Sequence, residues 1–280
     1  MSSESLYGLV LLAAAAHAIW NALVKRAADA LLMMAAIRLV GLVFGLAVVP
    51  FLPWPNESTW VLLALACTAT FAYYGLLIHC YQIGDLSLVY PIARGSAPLV
   101  LALIAFLVID EHLTATQIAG IVLISVGILA LVIGKGNDRR AVGYALATGI
   151  SIATYSFLGG LGVRSSASVF GFQAWLEILT GIGVLAFAMI RRPGKVRAFV
   201  QTSGGIGLIA GALSVAGYLA FLTAAKVLPL APIAALRECG LIFGAIIGAV
   251  VFKERFGTRR IVAAGLIAAG ATAIAARAFY

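Results

Sequence analysis

Ten apolar runs, each long enough to cross a lipid bilayer and parted by only a few polar residues, leave this chain almost no way to fold in water. A helical crossing needs about 20 apolar residues. The runs lie near residues 6–24, 31–52, 59–81, 86–109, 114–134, 141–163, 167–190, 203–223, 229–252 and 257–278. Among the breaks between them are Lys25-Arg26, Pro53 to Glu57, Gly84-Asp85, Asp110-Glu111-His112, Lys135 to Arg140, Arg191 to Lys195 and Lys253 to Arg260. Charged residues make up only 10% of the chain, too few to coat a water-facing surface of this size. Open sheets cannot satisfy their backbone in lipid, so the expected fold is an all-α membrane protein with ten transmembrane helices and no separate soluble domain. Met1 to Leu6 lacks the basic stretch of a cleavable signal, so the first run is expected to remain in the mature protein.

The net charge of +9 would suggest nucleic acid until it is mapped onto the breaks. Thirteen lysines and arginines fall in the loops after the odd-numbered spans, against Arg164, Lys226 and Arg277 on the other side. Cytoplasmic loops carry the basic excess, so the charge reports topology and no nucleic-acid partner is expected. The odd-numbered loops are then cytoplasmic and both termini lie outside, on the periplasmic side if the membrane is a bacterial inner membrane. The lipid bilayer and a small-molecule substrate are the expected partners.

Residues 86–133 laid over 229–276 match at ten positions without a gap, among them Arg94 on Arg237, Glu111 on Glu254 and Gly127 on Gly270. An arginine within an apolar span costs about 2.5–3.5 kcal/mol on the insertion scale, so its recurrence argues for a duplicated module with a polar interior. Spans 1 and 6 align at a different offset, which places Trp20-Asn21 over Tyr155-Ser156, and in the second spans Arg38 over Gln173. The difference in offset is expected to be taken up by a longer loop before span 8. Five spans per half is odd, so the halves, 1–137 and 138–280, enter the membrane in opposite senses as two inverted five-helix repeats.

Arg94 sits about eight residues into its span, roughly 12 Å deep at 1.5 Å per residue, and Arg237 matches it. Three roles are open to each: snorkelling to the headgroups, a structural ion pair such as Arg237 with Glu177, or contact with an anionic group of a substrate. Pro91-Ile92-Ala93 recurs as Pro232-Ile233-Ala234, with Pro98 and Pro229 in the same spans. Proline removes a backbone donor, so interrupted helices are expected at corresponding places in both halves.

His17, Trp20 and Asn21 follow a helical i, i+3, i+4 spacing, matched in span 6 by Thr148, Tyr155 and Ser156. Such a face should look inward, either to bond neighbouring helices or to line a cavity. Tyr74, Tyr90, Tyr218 and Trp175 are candidate rings for that cavity, against the alternatives of core packing or an interfacial belt. Glu177 and Glu238 are the carboxylates far from predicted helix ends; each could relay protons or pair with arginine. Asp110, Glu111 and Glu254 are expected to cap or anchor the fifth and tenth spans. Gly240, Gly244 and Gly248, with Gly207/Gly211 and Gly41/Gly45, are spaced for close helix packing.

The odd set Cys67, Cys80 and Cys239 shows neither a disulfide framework nor metal spacing, and His17, His79 and His112 form no metal-ligand pattern. Gly95-Ser96-Ala97 is not a nucleophile elbow. Neither catalysis, nor a cofactor, nor a metal is expected.

The Pro-rich start of span 4, then Glu111-His112-Leu113-Thr114 with Gln117, Gly120 and Gly127, resembles the ten-span EamA-type members of the drug/metabolite transporter superfamily. The second copy repeats the pattern as Glu254-Arg255-Phe256-Gly257, closes on Gly270, and departs from it at Ala263. The resemblance covers nearly the whole chain. It implies a secondary carrier, many of its relatives being bacterial exporters of amino acids and related metabolites, with aromatic amino acids the first subgroup to try. The segment from His17 to Lys25 also resembles an EamA subgroup of unassigned substrate. An accessory membrane subunit without transport, or a carrier of cationic drugs or of nucleotide- or lipid-linked sugars, are the alternatives.

Overall fold

The structure is a computed structural model that describes residues 2–83, 86–132, 138–251 and 257–276. The expected break at Gly84-Asp85, the repeated Glu254 with its neighbours Lys253 and Arg255, and Arg277 lie outside the described residues. Among the described residues eleven α-helices follow in order: α1 (Ser3–Arg26), α2 (Ala30–Val48), α3 (Glu57–Ile83), α4 (Leu86–Ile109), α5 (Ala115–Leu129), α6 (Arg139–Ser165), α7 (Val169–Arg191), α8 (Lys195–Ala225), α9 (Leu230–Arg237), α10 (Gly240–Val251) and α11 (Thr258–Ala275). Helices α9 and α10 together make the ninth of ten candidate membrane spans.

Short polar side chains start the helices where the apolar runs stop. Asp29 accepts from the backbone N–H of Leu31 and Leu32, Asp138 from Arg140 and Ala141, and Ser168 from Gly171. Thr114 and Gln117 form a reciprocal capping box at the start of α5.

Two expectations change here. The length before span 8 is not a loop, because α8 begins at Lys195, directly after a turn in which Gly194 takes a left-handed φ of 73°. The prolines do not interrupt matching helices either. Helix α4 runs unbroken through Pro91 and Pro98. Pro229 is the N-cap of α9 and Pro232 lies in its first turn, where no intrahelical N–H bond is lost. The break in span 9 comes later, at Glu238-Cys239, where bonds from Glu238 to Ala235 and from Cys239 to Leu236 tighten the chain into a three-residue turn.

The packing obeys a pseudo-twofold. Helix α1 packs on α8 as α3 packs on α6, and α1 meets α9 and α10 as α6 meets α4. Helices α2 and α7, and likewise α5 and α11, pair with their own counterparts across the axis. The α5–α11 contact shows the symmetry at residue level. A Cβ on Gly270 would stand 2.6 Å from the carbonyl oxygen of Gly120, and one on Gly127 would stand 3.0 Å from that of Ala263. The two contacts are equivalents under inversion, so Ala263 replaces a glycine where its partner is already Gly127. Gly207 and Gly211 press on Ala36 and Val40, as expected of packing glycines, whereas Gly244 faces open space.

The two faces of the bundle differ. The main core gathers residues from the face that carries the N-terminus, such as Leu6, Val10, Leu63, Leu101, Phe172, Phe221 and Leu230. On that terminal face the turns are stitched together. Asn56 donates to the Ser165 carbonyl at 3.4 Å, and Lys226 Nζ to that of Ser166 at 2.7 Å. Arg164 donates to the carbonyls of Ala225 and Leu228 at 2.9 and 2.8 Å. On the opposite face, Asp29 and Arg192 tie the α1–α2 turn to the end of α7 at 2.8 Å.

Candidate substrate pathway

A cavity of about 340 Å³ lies in the half of the bundle away from the terminal face, among α1, α4, α10 and α11. His17, Asn21, Tyr90 and Arg94 line its inner part, while Arg260, on the first turn of α11, lines it farther out. Its remaining wall is mostly Ala, Leu, Ile and Gly of α10 and α11, Gly244 among them. The volume suits a small metabolite, being at the lower end of ordinary ligand pockets.

Arg94 is 5% exposed and its Nε lies 2.8 Å from Glu238 Oε2. Neither atom completes an aligned hydrogen bond, so the contact is one of charge with the N–H off axis. Glu238 reaches Arg94 because the break after α9 lets the chain turn there.

Arg237 is 7% exposed and does not pair with Glu177. It donates to Ser156 Oγ at 3.2 Å and lies over the Phe221 ring at 4.6 Å. Phe221 in turn stacks on Tyr218. A cation over an aromatic face gains about 0.5–2 kcal/mol, which offsets part of the burial of Arg237. A separate void of about 10 Å³ is bounded by Ser156, Arg237 and Glu238. The large cavity therefore ends on Arg94, and Arg237 lies behind it.

Glu177, 3% exposed, instead takes Arg38, whose Nη1 donates to Oε2 at 2.9 Å. Tyr74 lies within electrostatic reach of this pair. The expected inward face of α1 divides. His17 and Asn21 line the cavity, with Asn21 Nδ2 donating to the His17 carbonyl at 2.7 Å. Trp20 meets His17 edge-on at 5.0 Å and packs toward Met33, Ile37 and Ala210. Tyr155 packs beside Tyr73 at 5.5 Å, over Ala93, Ala97 and Ile152. Trp175 does not line the cavity; it joins Trp54 and Trp60 in a ring cluster, with centroids 4.9 and 4.7 Å away. Apolar rings next to a Pro-rich turn pack there more readily than in a charged cavity.

Of the two roles expected of Glu111, capping and anchoring, capping is taken by Thr114 and Gln117 instead. Asp110, at a left-handed φ of 53°, turns the chain so that Glu111 Oε1 accepts from the Leu230 N–H at 2.8 Å, at the start of α9. Its Oε2 meets Arg164 at 3.3 Å. One carboxylate thus joins the first half to two elements of the second. Sequence reasoning placed Ser156 on an inward face but missed the pairing of Arg38 with Glu177, the Phe221 ring and this latch. The signal for Arg38 was available, since three arginines lie far from the span ends against two such carboxylates.

The EamA-like transporter family matches the chain twice, over residues 5–133 and 139–276. A solved structure described only as the crystal structure of a protein superposes with a TM-score of 0.74 at 15% identity. It covers 97% of this chain and 95% of its own, a likeness that shows the fold alone. No curated protein matches the chain. The duplicated match over nearly all of the ten-span bundle places the chain in the EamA-like transporter family of the drug/metabolite transporter superfamily, as a multi-pass membrane transporter.

Proposed function

We propose that the protein is a secondary-active or facilitative carrier that exports amino acids, aromatic ones first, or similar small amphipathic metabolites from a bacterial cytoplasm by alternating access. The observation that carries this reading is the difference between the two faces. A cavity of about 340 Å³ runs inward from Arg260 to Arg94, while the terminal face is closed by Glu111, Arg164 and Lys226. The basic loops assign the cavity side to the cytoplasm and the termini to the outside. The chain is then held ready to receive substrate from within. A carboxylate meets Arg94, and the apolar part lies against Tyr90 and the walls of α10 and α11.

Counterflow in liposomes tests it. Purified protein alone is expected to exchange radiolabelled amino acids or small amphipathic carboxylates, and Arg94→Ala is expected to abolish exchange while still inserting, since removing the charge also removes an insertion cost of a few kcal/mol. Arg94→Lys should rescue poorly, because lysine is a point charge without the planar fork. A wild-type protein inert toward a broad metabolite panel would favour an accessory role.

A further inference from the structure

Far from the span ends lie three arginines and two carboxylates, and the structure shows how this imbalance is distributed. Arg38 and Glu177 are matched by an aligned hydrogen bond at 2.9 Å. That leaves Arg94, Arg237 and Glu238, two cations sharing one anion. Glu238 touches Arg94, yet lies beside Arg237 in sequence, bounds the same small void and is within electrostatic reach of both. The contacts of Arg237, Ser156 and the Phe221 ring, are both uncharged, whereas Arg38 bonds a carboxylate. The first half offers Gly95 where the second has Glu238, so this counter-ion has no duplicate.

We propose that Glu238 is an exchangeable counter-ion shared by the two arginines, and that the site takes a substrate with one net negative charge. This rests on the carrier reading above and narrows its substrates, ranking the monoanions among the small amphipathic metabolites above the zwitterionic amino acids; it also names the residue that couples binding to movement. An anion entering the cavity meets Arg94 at its inner end. Arg94 stands at the inner end of the cavity, and among the described residues the lining holds no carboxylate, so that end favours an anion. The incoming group replaces Glu238 at Arg94, and Glu238 moves to Arg237 across the turn between α9 and α10. Two cations are then balanced by two anions, a balance that neither a zwitterion nor a cation completes.

Three probes with one apolar body and different charge test this: 3-phenylpropionate, phenylalanine and 2-phenylethylamine. Binding is read by thermal shift on the purified protein, since a ligand of the folded state raises apparent stability, and exchange is read by counterflow in liposomes. Wild type is expected to bind phenylpropionate at least tenfold tighter than phenylalanine and to ignore phenylethylamine. Glu238→Gln is expected to bind phenylpropionate as tightly or more tightly, with a lower KM, while its maximal counterflow rate falls at least tenfold. Glu238→Asp keeps the charge and should restore part of the rate, and it serves as the second variant should the glutamine fail to fold. Phenylethylamine or phenylalanine binding as well as phenylpropionate, or none of the three binding, overturns the charge assignment. Loss of binding and rate in parallel in Glu238→Gln, or an unchanged rate, overturns the exchange. Ordered binding without counterflow by wild type sinks the carrier reading and the exchange with it, while the charge class stands.

Discussion

Arg94 and Arg237 are legible in the sequence because a charge deep in an apolar run is costly enough to need a reason. Their partners are not, since pairing depends on how each helix is rotated and on where the ninth span breaks. Arg38 illustrates the gap: it stands in the alignment opposite Gln173, but its carboxylate lies 139 positions away on α7. Breaking a buried pair by removing one partner typically costs about 3–5 kcal/mol, because the other charge is left stranded. Glu177→Gln should therefore lower the thermal unfolding temperature in detergent markedly, and Arg38→Met with Glu177→Leu should recover much of the loss. Asp29 provides the residue-scale pH dependence outside the spans. Its hydrogen bond to Arg192 holds its carboxyl below the usual value of 3.8. A depressed folded pKa means that the stabilisation is present above that value and is lost as pH falls through the lower, folded one. Asp29→Asn should thus reduce stability near pH 7 by no more than about 1 kcal/mol, this being a partly exposed pair, and the difference from wild type should vanish in strong acid. A difference that persists there would assign the effect to helix capping alone.

Among the elements, the ten spans and their polar starts follow from hydropathy and capping chemistry, so the sequence places nearly all of them within a few residues. What it misplaces are continuous features: proline marks a possible break, but neither Pro91 nor Pro98 ends α4, and span 9 parts after Arg237 with no proline there. The start of α8 was hidden because the residues before Gly204 are too polar for a membrane run, although they continue as helix. The glycines separate by what faces them. Gly270→Ala should destabilise the α5–α11 contact, since its Cβ would meet the backbone oxygen of Gly120, which cannot rotate away. Gly244→Ala, with nothing within 4 Å, should be close to neutral for stability. Thermal unfolding of the two variants side by side checks this, and equal losses would contradict the packing at the axis.

For the molecule as a whole, inversion was legible from the duplication and the odd span count, whereas the conformation was not. A symmetric sequence pattern does not say which face closes. The structure closes the terminal face through contacts that cross between halves, of which the Glu111 carboxylate is the most connected, and leaves the cavity on the other side. If the halves rock, loosening this latch should move the population toward the opposite state, and the effect should be readable at the cavity wall. The direct measurement is the labelling rate of Gly244→Cys, in a background with Cys67, Cys80 and Cys239 replaced, by a membrane-impermeant maleimide applied to either side of sealed vesicles. The account predicts reaction from the cytoplasmic side only, slowed severalfold when Glu111→Gln is added. Reaction from the outer side, or a rate indifferent to Glu111→Gln, would contradict it.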